Sequence, residues 1–262
     1  MKDVLTQIIA SKERELASMD FGDIFSQAQS CSRKINSLSA SLRSKERGGI
    51  LAEFKRRSPS KGWINEHANP TRVASAYFEA GAAGCSILTN EEWFAGSVEH
   101  LKAVRSALPE LAILRKEFII DARQIAEARV IGADAILLIA SCLTAEKCRE
   151  LSQVAKSYGL EILLELHHES ELDHINEFVD MVGVNNRNLG SFVTTLDNSF
   201  RMADAIRERV KGDVVLLSES GIKSSEDIRS LHKVGYQGFL IGESFMRGEN
   251  PGGELKKMIE QL

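Results

Sequence analysis

An α/β chain whose eight βα units close into a barrel, with a helical extension in front, is the fold this sequence predicts. Three observations carry that expectation. From Gly49 onward, short apolar runs alternate with amphipathic stretches, the pattern of parallel strands and the helices that cross between them. The alternation recurs eight times and persists to the C-terminus. After the first apolar run the glycine-rich fingerprint of an open, doubly wound dinucleotide fold is missing, and Lys55-Arg56-Arg57-Ser58-Pro59-Ser60 stands in its place. An open sheet would leave edge strands to protect, so closure is expected and the doubly wound sheet is the alternative.

Taken in order, residues 1–49 are polar and helix-friendly, with Val4, Leu5, Ile8, Ile9 and Leu16 near helical spacing, and read as an extension. The predicted strands are Ile50 to Phe54, Cys85 to Leu88, Ala112 to Arg115, Ala135 to Ile139, Glu161 to Leu164, Met181 to Val184, Val214 to Leu217 and Phe239 to Ile241. The helices expected to follow them are Thr71 to Glu79, Ser97 to Ala107, Ala122 to Ile131, Ala145 to Tyr158, Ser170 to Phe178, Ser199 to Val210, Ser225 to Val234 and Glu254 to Gln261. Asp121 and Thr144 sit where N-caps belong, and Gly81, Gly132, Gly159 and Gly235 just past the last periodic residues. Residues 1–262 therefore read as one barrel domain, with 1–49 as its N-terminal helical extension.

Composition narrows the function classes. The chain has 262 residues, 43% of them hydrophobic, enough to bury a core without staples or metal. Cys31, Cys85, Cys142 and Cys148 form no CxxC pair and have no histidine at ligand spacing, so they read as free thiols in a reducing compartment, with no metal site expected. Neither a signal arrangement nor an apolar run near the roughly 20 residues of a membrane span is visible, and the cytoplasm is the expected location. A net charge of −4 argues against a general nucleic-acid binder and for a small partner. The charged stretches Arg43 to Arg47 and Lys256-Lys257 read as solvated helix faces.

In a barrel, side chains at the C-terminal ends of the strands converge on one mouth. Glu53 and Lys55 end the first strand, Lys116 the third, Glu165 the fifth, Asn185 the sixth, Glu219 and Ser220 the seventh, and Gly242 the eighth. Structural ion pairing is the bland reading of these charges. Burying several ionisable groups costs several kcal/mol each, which favours function over stability. Ser220-Gly221-Ile222 and Ile241-Gly242-Glu243-Ser244 follow the seventh and eighth strands, where barrels hold phosphate on backbone N–H groups. Asn185-Asn186-Arg187-Asn188 offers donors for hydroxyl groups or a carboxylate, or simply a turn. Trp63, Phe94 and Phe118 could wall an aromatic pocket, whereas His167, His168 and His174 lack a metal arrangement and are expected to face solvent.

The chain resembles the indole-3-glycerol phosphate synthase family, which closes, decarboxylates and dehydrates carboxyphenylamino-deoxyribulose phosphate in tryptophan biosynthesis. The resemblance rests on Ile50-Leu51-Ala52-Glu53-Phe54-Lys55-Arg56-Arg57-Ser58-Pro59-Ser60, Leu114-Arg115-Lys116-Glu117-Phe118-Ile119, Leu164-Glu165-Leu166-His167, Gly183-Val184-Asn185-Asn186-Arg187-Asn188-Leu189 and Ser218-Glu219-Ser220-Gly221-Ile222. It covers nearly the whole chain and implies a (β/α)8 TIM barrel. It further implies Lys116 as general acid toward the ketone and Glu165 as general base in the dehydration. Lys55 would lie near the phosphate or carboxylate, and Glu53 would orient the lysines. Asn185 would bind a ribulose hydroxyl, Glu219 and Ser220 would shape the floor, and Gly221 and Gly242 would present N–H groups to phosphate. Ser58 would belong to a mobile first loop, Arg187 and Glu243 would contact substrate, and Phe94, Phe118 and Leu137 would line the anthranilate pocket. No cofactor is implied, and association with other tryptophan-pathway enzymes is the partnership it suggests. Two departures stand out: Glu117, where many relatives have aspartate and which could alter the field around Lys116, and Ser218, where alanine is common.

Two other readings remain. Phosphoribosylanthranilate isomerase also grips phosphate and an anthranilate, but would need an acid–base pair such as cysteine and aspartate where the first strand ends in Glu53 and Lys55. A non-catalytic barrel that binds phosphorylated ligands is the third.

Overall fold

The computed structural model of the chain describes residues 4–44, 47–188 and 193–262, so Lys45, Glu46 and the motif residue Leu189 lie outside the described residues. The extension contributes α1 (Val4–Ser18), α2 (Ile24–Ser30) and α3 (Leu38–Arg43). The strand β1 (Ile50–Phe54) leads into a small hairpin of β2 (Arg57–Ser58) and β3 (Gly62–Trp63), then α4 (Pro70–Glu79), β4 (Gly84–Leu88), α5 (Glu91–Phe94) and α6 (Val98–Ala107). Next come β5 (Ile113–Lys116), α7 (Ala122–Ile131), β6 (Ala135–Ile139), α8 (Ala145–Ser157), β7 (Glu161–Leu166) and β8 (Met181–Asn185). The chain ends with α9 (Asp197–Arg209), β9 (Val215–Glu219), α10 (Ser225–Lys233), β10 (Gly238–Ile241), α11 (Glu243–Met246) and α12 (Pro251–Ile259).

Closure is real: the strands pair in parallel in the order β1-β10-β9-β8-β7-β6-β5-β4 and back to β1. The two-residue period of a strand sorts its side chains. In β1, Ile50, Ala52 and Phe54 join the layer between sheet and helices, while Leu51 joins the interior with Leu114, Leu137, Leu163 and Leu217. Each such buried aliphatic side chain contributes about 1.5–3 kcal/mol. At the N-terminal end of the barrel the interior is plugged by Leu38 and Leu42 of α3.

Helix punctuation follows the sequence. Asp121 caps α7 and Thr144 caps α8 with side-chain acceptors, and Gly81, Gly132, Gly159 and Gly235 all take left-handed φ values. One expected helix differs. Ser170 to Phe178 is a short 3-10 turn over Glu169–His174, because Glu171 folds back to accept the backbone N–H groups of His167 and His168 and Asn176 accepts that of Phe178. Such side-chain bonds compete with helix propagation.

The extension clasps the barrel from mouth to base. Ile24 and Ala28 of α2 pack on Ala126 of α7, and Ser37 and Ser39 donate to Glu161 at the start of β7. The Arg43-to-Arg47 stretch is not a free solvated face. Arg43 pairs with Asp213 at 3.0 Å, and Arg47 donates to the Ala82 carbonyl at 3.0 Å while lying over the Phe78 ring. Among the described residues no helix is long and apolar enough to cross a membrane.

Candidate active site

The C-terminal ends of the barrel strands surround a cavity of about 590 Å³, well within the size range of small-molecule sites. Its floor is ionic. The Lys116 ammonium, at the end of β5, donates to Glu165 Oε2 of β7 at 2.7 Å and to Glu219 Oε2 of β9 at 2.8 Å. Asn185, ending β8, donates to the other oxygen of Glu165 at 3.1 Å. Across the mouth, Lys55 pairs with Glu53 of β1.

Two glycines make room for these carboxylates. A side chain at Gly183 would collide with Glu219 Oε1, and one at Gly242 would meet the Glu53 carboxylate at 2.7 Å. Gly242 therefore serves the site by being small as well as by opening α11. Just past β9, Ser220 and Gly221 have φ values of 68° and 82°, turning the chain sharply beside the cavity. For a serine this conformation is uncommon and concentrates at functional sites.

The floor is electrostatically coupled. Burial would pull the Lys116 ammonium down, but Glu165, Glu219 and Glu53 outweigh it and raise its pKa, so it stays charged. Burial also pushes both carboxyls up. At Glu165 this is overcome by Lys116, then His167, with bonds from Lys116 and Asn185, and its pKa lies below the ordinary range. At Glu219 burial wins against the pull of Lys116, helped by neighbouring Glu165, and the carboxyl rises to about 8. The asymmetry has a visible cause: both oxygens of Glu165 have donors, whereas Glu219 Oε1 has none. The pair thus offers one carboxylate and one carboxyl at neutral pH.

The walls differ in character. Phe94 and Phe118, with ring centroids 6.0 Å apart, join Leu137 and Ile139 in an apolar side that Val4, Leu5 and Ile8 of α1 complete. Opposite them Lys55, Lys61, Arg187, Lys223 and Arg247 supply positive charge beside Ser220, Gly221 and Gly242. Arg187 ties three loops together, donating to Ser60 at 2.8 Å and to Glu243 at 3.2 Å. Glu243 also pairs with Arg247 at 2.7 Å. Ser58 is buried beside the cavity, with a hydroxyl that has no partner among the described residues.

The candidate catalytic and substrate-binding residues all border this cavity, and two neighbouring expectations are corrected. Trp63 does not wall it: the ring is 47% exposed and stacks under Arg56 and Arg57 in the β2–β3 hairpin. His167 does not face solvent: it is buried, and its Nε2 lies 3.4 Å from Glu165 Oε1. Glu117, just past β5, also borders the cavity; it is buried, lies 3.3 Å from Lys12 of α1, and accepts from Thr89 and the Phe118 backbone. Within the Asn185-to-Asn188 run, Asn186 is scaffold, bonding Ser218, Ser199 and the backbone of Glu219 and Ser220. Ser218 gains a role here that alanine could not fill.

Lys61, Lys223 and the α1 face were missed by reading strand ends alone. Lys223 sits in the loop after β9, where position could have flagged it; α1 showed only an apolar stripe, which does not say what it covers.

The chain has relatives along its whole length. Residues 5–258 match the family model for indole-3-glycerol phosphate synthase. A protein of that name from Bacteroides thetaiotaomicron is 46% identical over 100% of both chains. One from Carboxydothermus hydrogenoformans is 44% identical over 84% of this chain and 83% of its own, and one from Burkholderia vietnamiensis 40% identical over 99% and 100%. Among solved structures, a mutant tryptophan synthase alpha-subunit from Pyrococcus furiosus superposes with a TM-score of 0.60 at 15% identity, covering 83% of this chain and 98% of that one, a likeness of fold alone. With a family model spanning nearly its full length and relatives matching it end to end, the chain belongs to the indole-3-glycerol phosphate synthase family.

Proposed function

We propose that this chain converts 1-(2-carboxyphenylamino)-1-deoxyribulose 5-phosphate to indole-3-glycerol phosphate with the residues of the β-strand mouth, Lys116 acting as acid and Glu165 as base. The observation that carries the assignment is Lys116 bridging Glu165 and Glu219 on the floor of a cavity that is apolar on one wall and cationic on the other. The apolar wall suits the anthranilate ring, and the cationic wall with Gly221 and Gly242 suits the phosphate.

Ring closure joins the carboxyl-bearing ring carbon to the ketone carbon, and the carbonyl oxygen must gain a proton as it becomes a hydroxyl. In this reading Lys116, charged and backed by two carboxyls, gives it. Departure of carbon dioxide returns its electron pair to the ring and restores aromaticity. Water then leaves: the hydroxyl takes a proton, and the neighbouring carbon gives one to a base. Glu165, the ionised member of the carboxyl pair, suits that second role. In this reading Glu53 orients Lys55, Asn185 holds Glu165 and a substrate hydroxyl, Arg187 meets the substrate carboxylate or phosphate, and Glu243 keeps Arg187 placed.

Residues 1–262 are read as one functional unit in the cytoplasm, with 1–49 part of the site through α1. The net charge of −4 supports a small phosphorylated substrate over nucleic acid. Association with other tryptophan-pathway enzymes is the protein partnership this role implies. The test is direct: purified protein incubated with the substrate in metal-free buffer is expected to develop indole fluorescence. A protein that binds the product tightly yet shows no turnover would instead be the non-catalytic barrel.

A further inference from the structure

Among the described residues His167 is the one buried histidine on the cavity wall, and its surroundings leave a proton unaccounted for. Beyond Glu165, it is reached by a chain of polar groups that ends at the surface. The exposed hydroxyl of Ser141, just past β6, lies 3.4 Å from His167 Nδ1 and donates to Glu171 Oε1. Glu171 Oε2 in turn accepts the backbone N–H of His167 at 2.6 Å and of His168 at 3.1 Å. Since a carboxylate can only accept, the single Ser141 proton is committed to Glu171, and Ser141 must accept from Nδ1–H. Nδ1 therefore carries a hydrogen.

That leaves Nε2, 97% buried with the rest of the residue, unbonded and 3.4 Å from Glu165 Oε1. Two acceptors facing each other repel unless a proton lies between them. From this geometry we propose that His167 Nε2 and Glu165 Oε1 share one proton, so that His167 is a positioning residue that steers the Glu165 carboxylate and sets its basicity. The inference rests on Glu165 being the base of the lyase reading. Around the ring, the titratable groups are Glu165 and Glu171, with the His168 ring 6.5 Å away; Cys142 faces the same two carboxylates, and Lys116 acts through Glu165.

The order of the chain makes structural sense. Asn185 and Lys116 already hold Glu165 by neutral and cationic donors. A donor on His167 adds a third hold, on the oxygen that Asn185 also reaches. Turning His167 into glutamine keeps bulk and polarity but removes the imidazole nitrogen that shares the proton.

The experiment compares wild type, His167→Gln and Ser141→Ala in turnover of the substrate from about pH 3 to 9, so that the range includes the acid limb set by Glu165. His167 favours the ionised form of Glu165, so its loss must raise the pH at which the base ionises. Expected for His167→Gln is a fall in kcat of about tenfold at pH 7, KM within about threefold, and an acid limb of the rate profile displaced to higher pH. Ser141→Ala, whose change is at an exposed hydroxyl, is expected to displace the limb the same way by a smaller step. Superimposable rate profiles for the wild type and Ser141→Ala, together with an unmoved acid limb in folded His167→Gln, overturn the proposal. Should His167→Gln not fold, an unmoved limb in Ser141→Ala overturns it alone. Absence of wild-type turnover would sink the lyase reading itself, a result distinct from a working enzyme whose variants are unaltered.

Discussion

At the scale of single residues, two similar carboxyls in the site are treated unequally. Glu165 and Glu219 both contact Lys116 and are both buried, yet one has donors on both oxygens and the other has a bare oxygen. The folded chain keeps a proton on Glu219 to about pH 8, whereas the unfolded chain releases it near the ordinary 4.5. Across that window the unfolded state binds fewer protons, so Glu219 costs stability as pH rises. Glu165 works in the opposite sense: its contribution is present above 4.5 and is lost as pH falls below it. Glu219→Gln has no proton to lose, so its Tm is expected to gain on the wild type between about pH 5 and 8, checked by calorimetry. Parallel Tm curves would contradict the assignment. Of these residues, the sequence made the strand-end charges legible through position. His167 was misread because it precedes a second histidine and an acidic run; strand period would have found it, since Glu165 faces in, Leu166 out and His167 in again.

At the scale of elements, α1 is both a wall and a clamp. Its buried stripe is Ile8, Lys12 and Leu16, at helical spacing, with a lysine where an apolar residue is expected. Lys12 is 3% exposed and meets the equally buried Glu117, the residue just past the end of β5. Removing the lysine leaves a buried carboxylate without its cation. Lys12→Met is therefore expected to cost about 3 kcal/mol in urea unfolding, and Lys12→Met combined with Glu117→Gln to recover part of it. Additive losses in the double variant would show that the two do not act as a pair. Strands were legible almost to the residue, β1 and β6 with the predicted bounds, because a fully buried parallel strand is a plain apolar run bounded by turns. The 3-10 turn after β7 was not, since Glu171 and Asn176 override its periodicity by bonds to the backbone.

At the scale of the whole molecule, the barrel is tied at the end away from the mouth. Asp134, fully buried at the start of β6, accepts from Arg33, the Asn36 N–H, Arg105 and the Ile113 N–H, joining the extension to two strands. Asp134→Ala would leave two guanidinium groups short of their partner, and a loss of at least about 3 kcal/mol is expected in urea unfolding. A loss below about 1 kcal/mol would show the hub to be dispensable. Long-range ties of this kind are illegible in a single sequence, where Arg33 and Asp134 are merely two charges far apart. Lys116 and Glu165 meet at one mouth, beside a cationic wall, and the proposed function makes them acid and base. It is tested most directly by measuring kcat of Lys116→Met alongside its affinity for indole-3-glycerol phosphate. The expected result is a kcat lowered by at least about 100-fold with product affinity within about threefold of wild type; turnover within tenfold of wild type would contradict it.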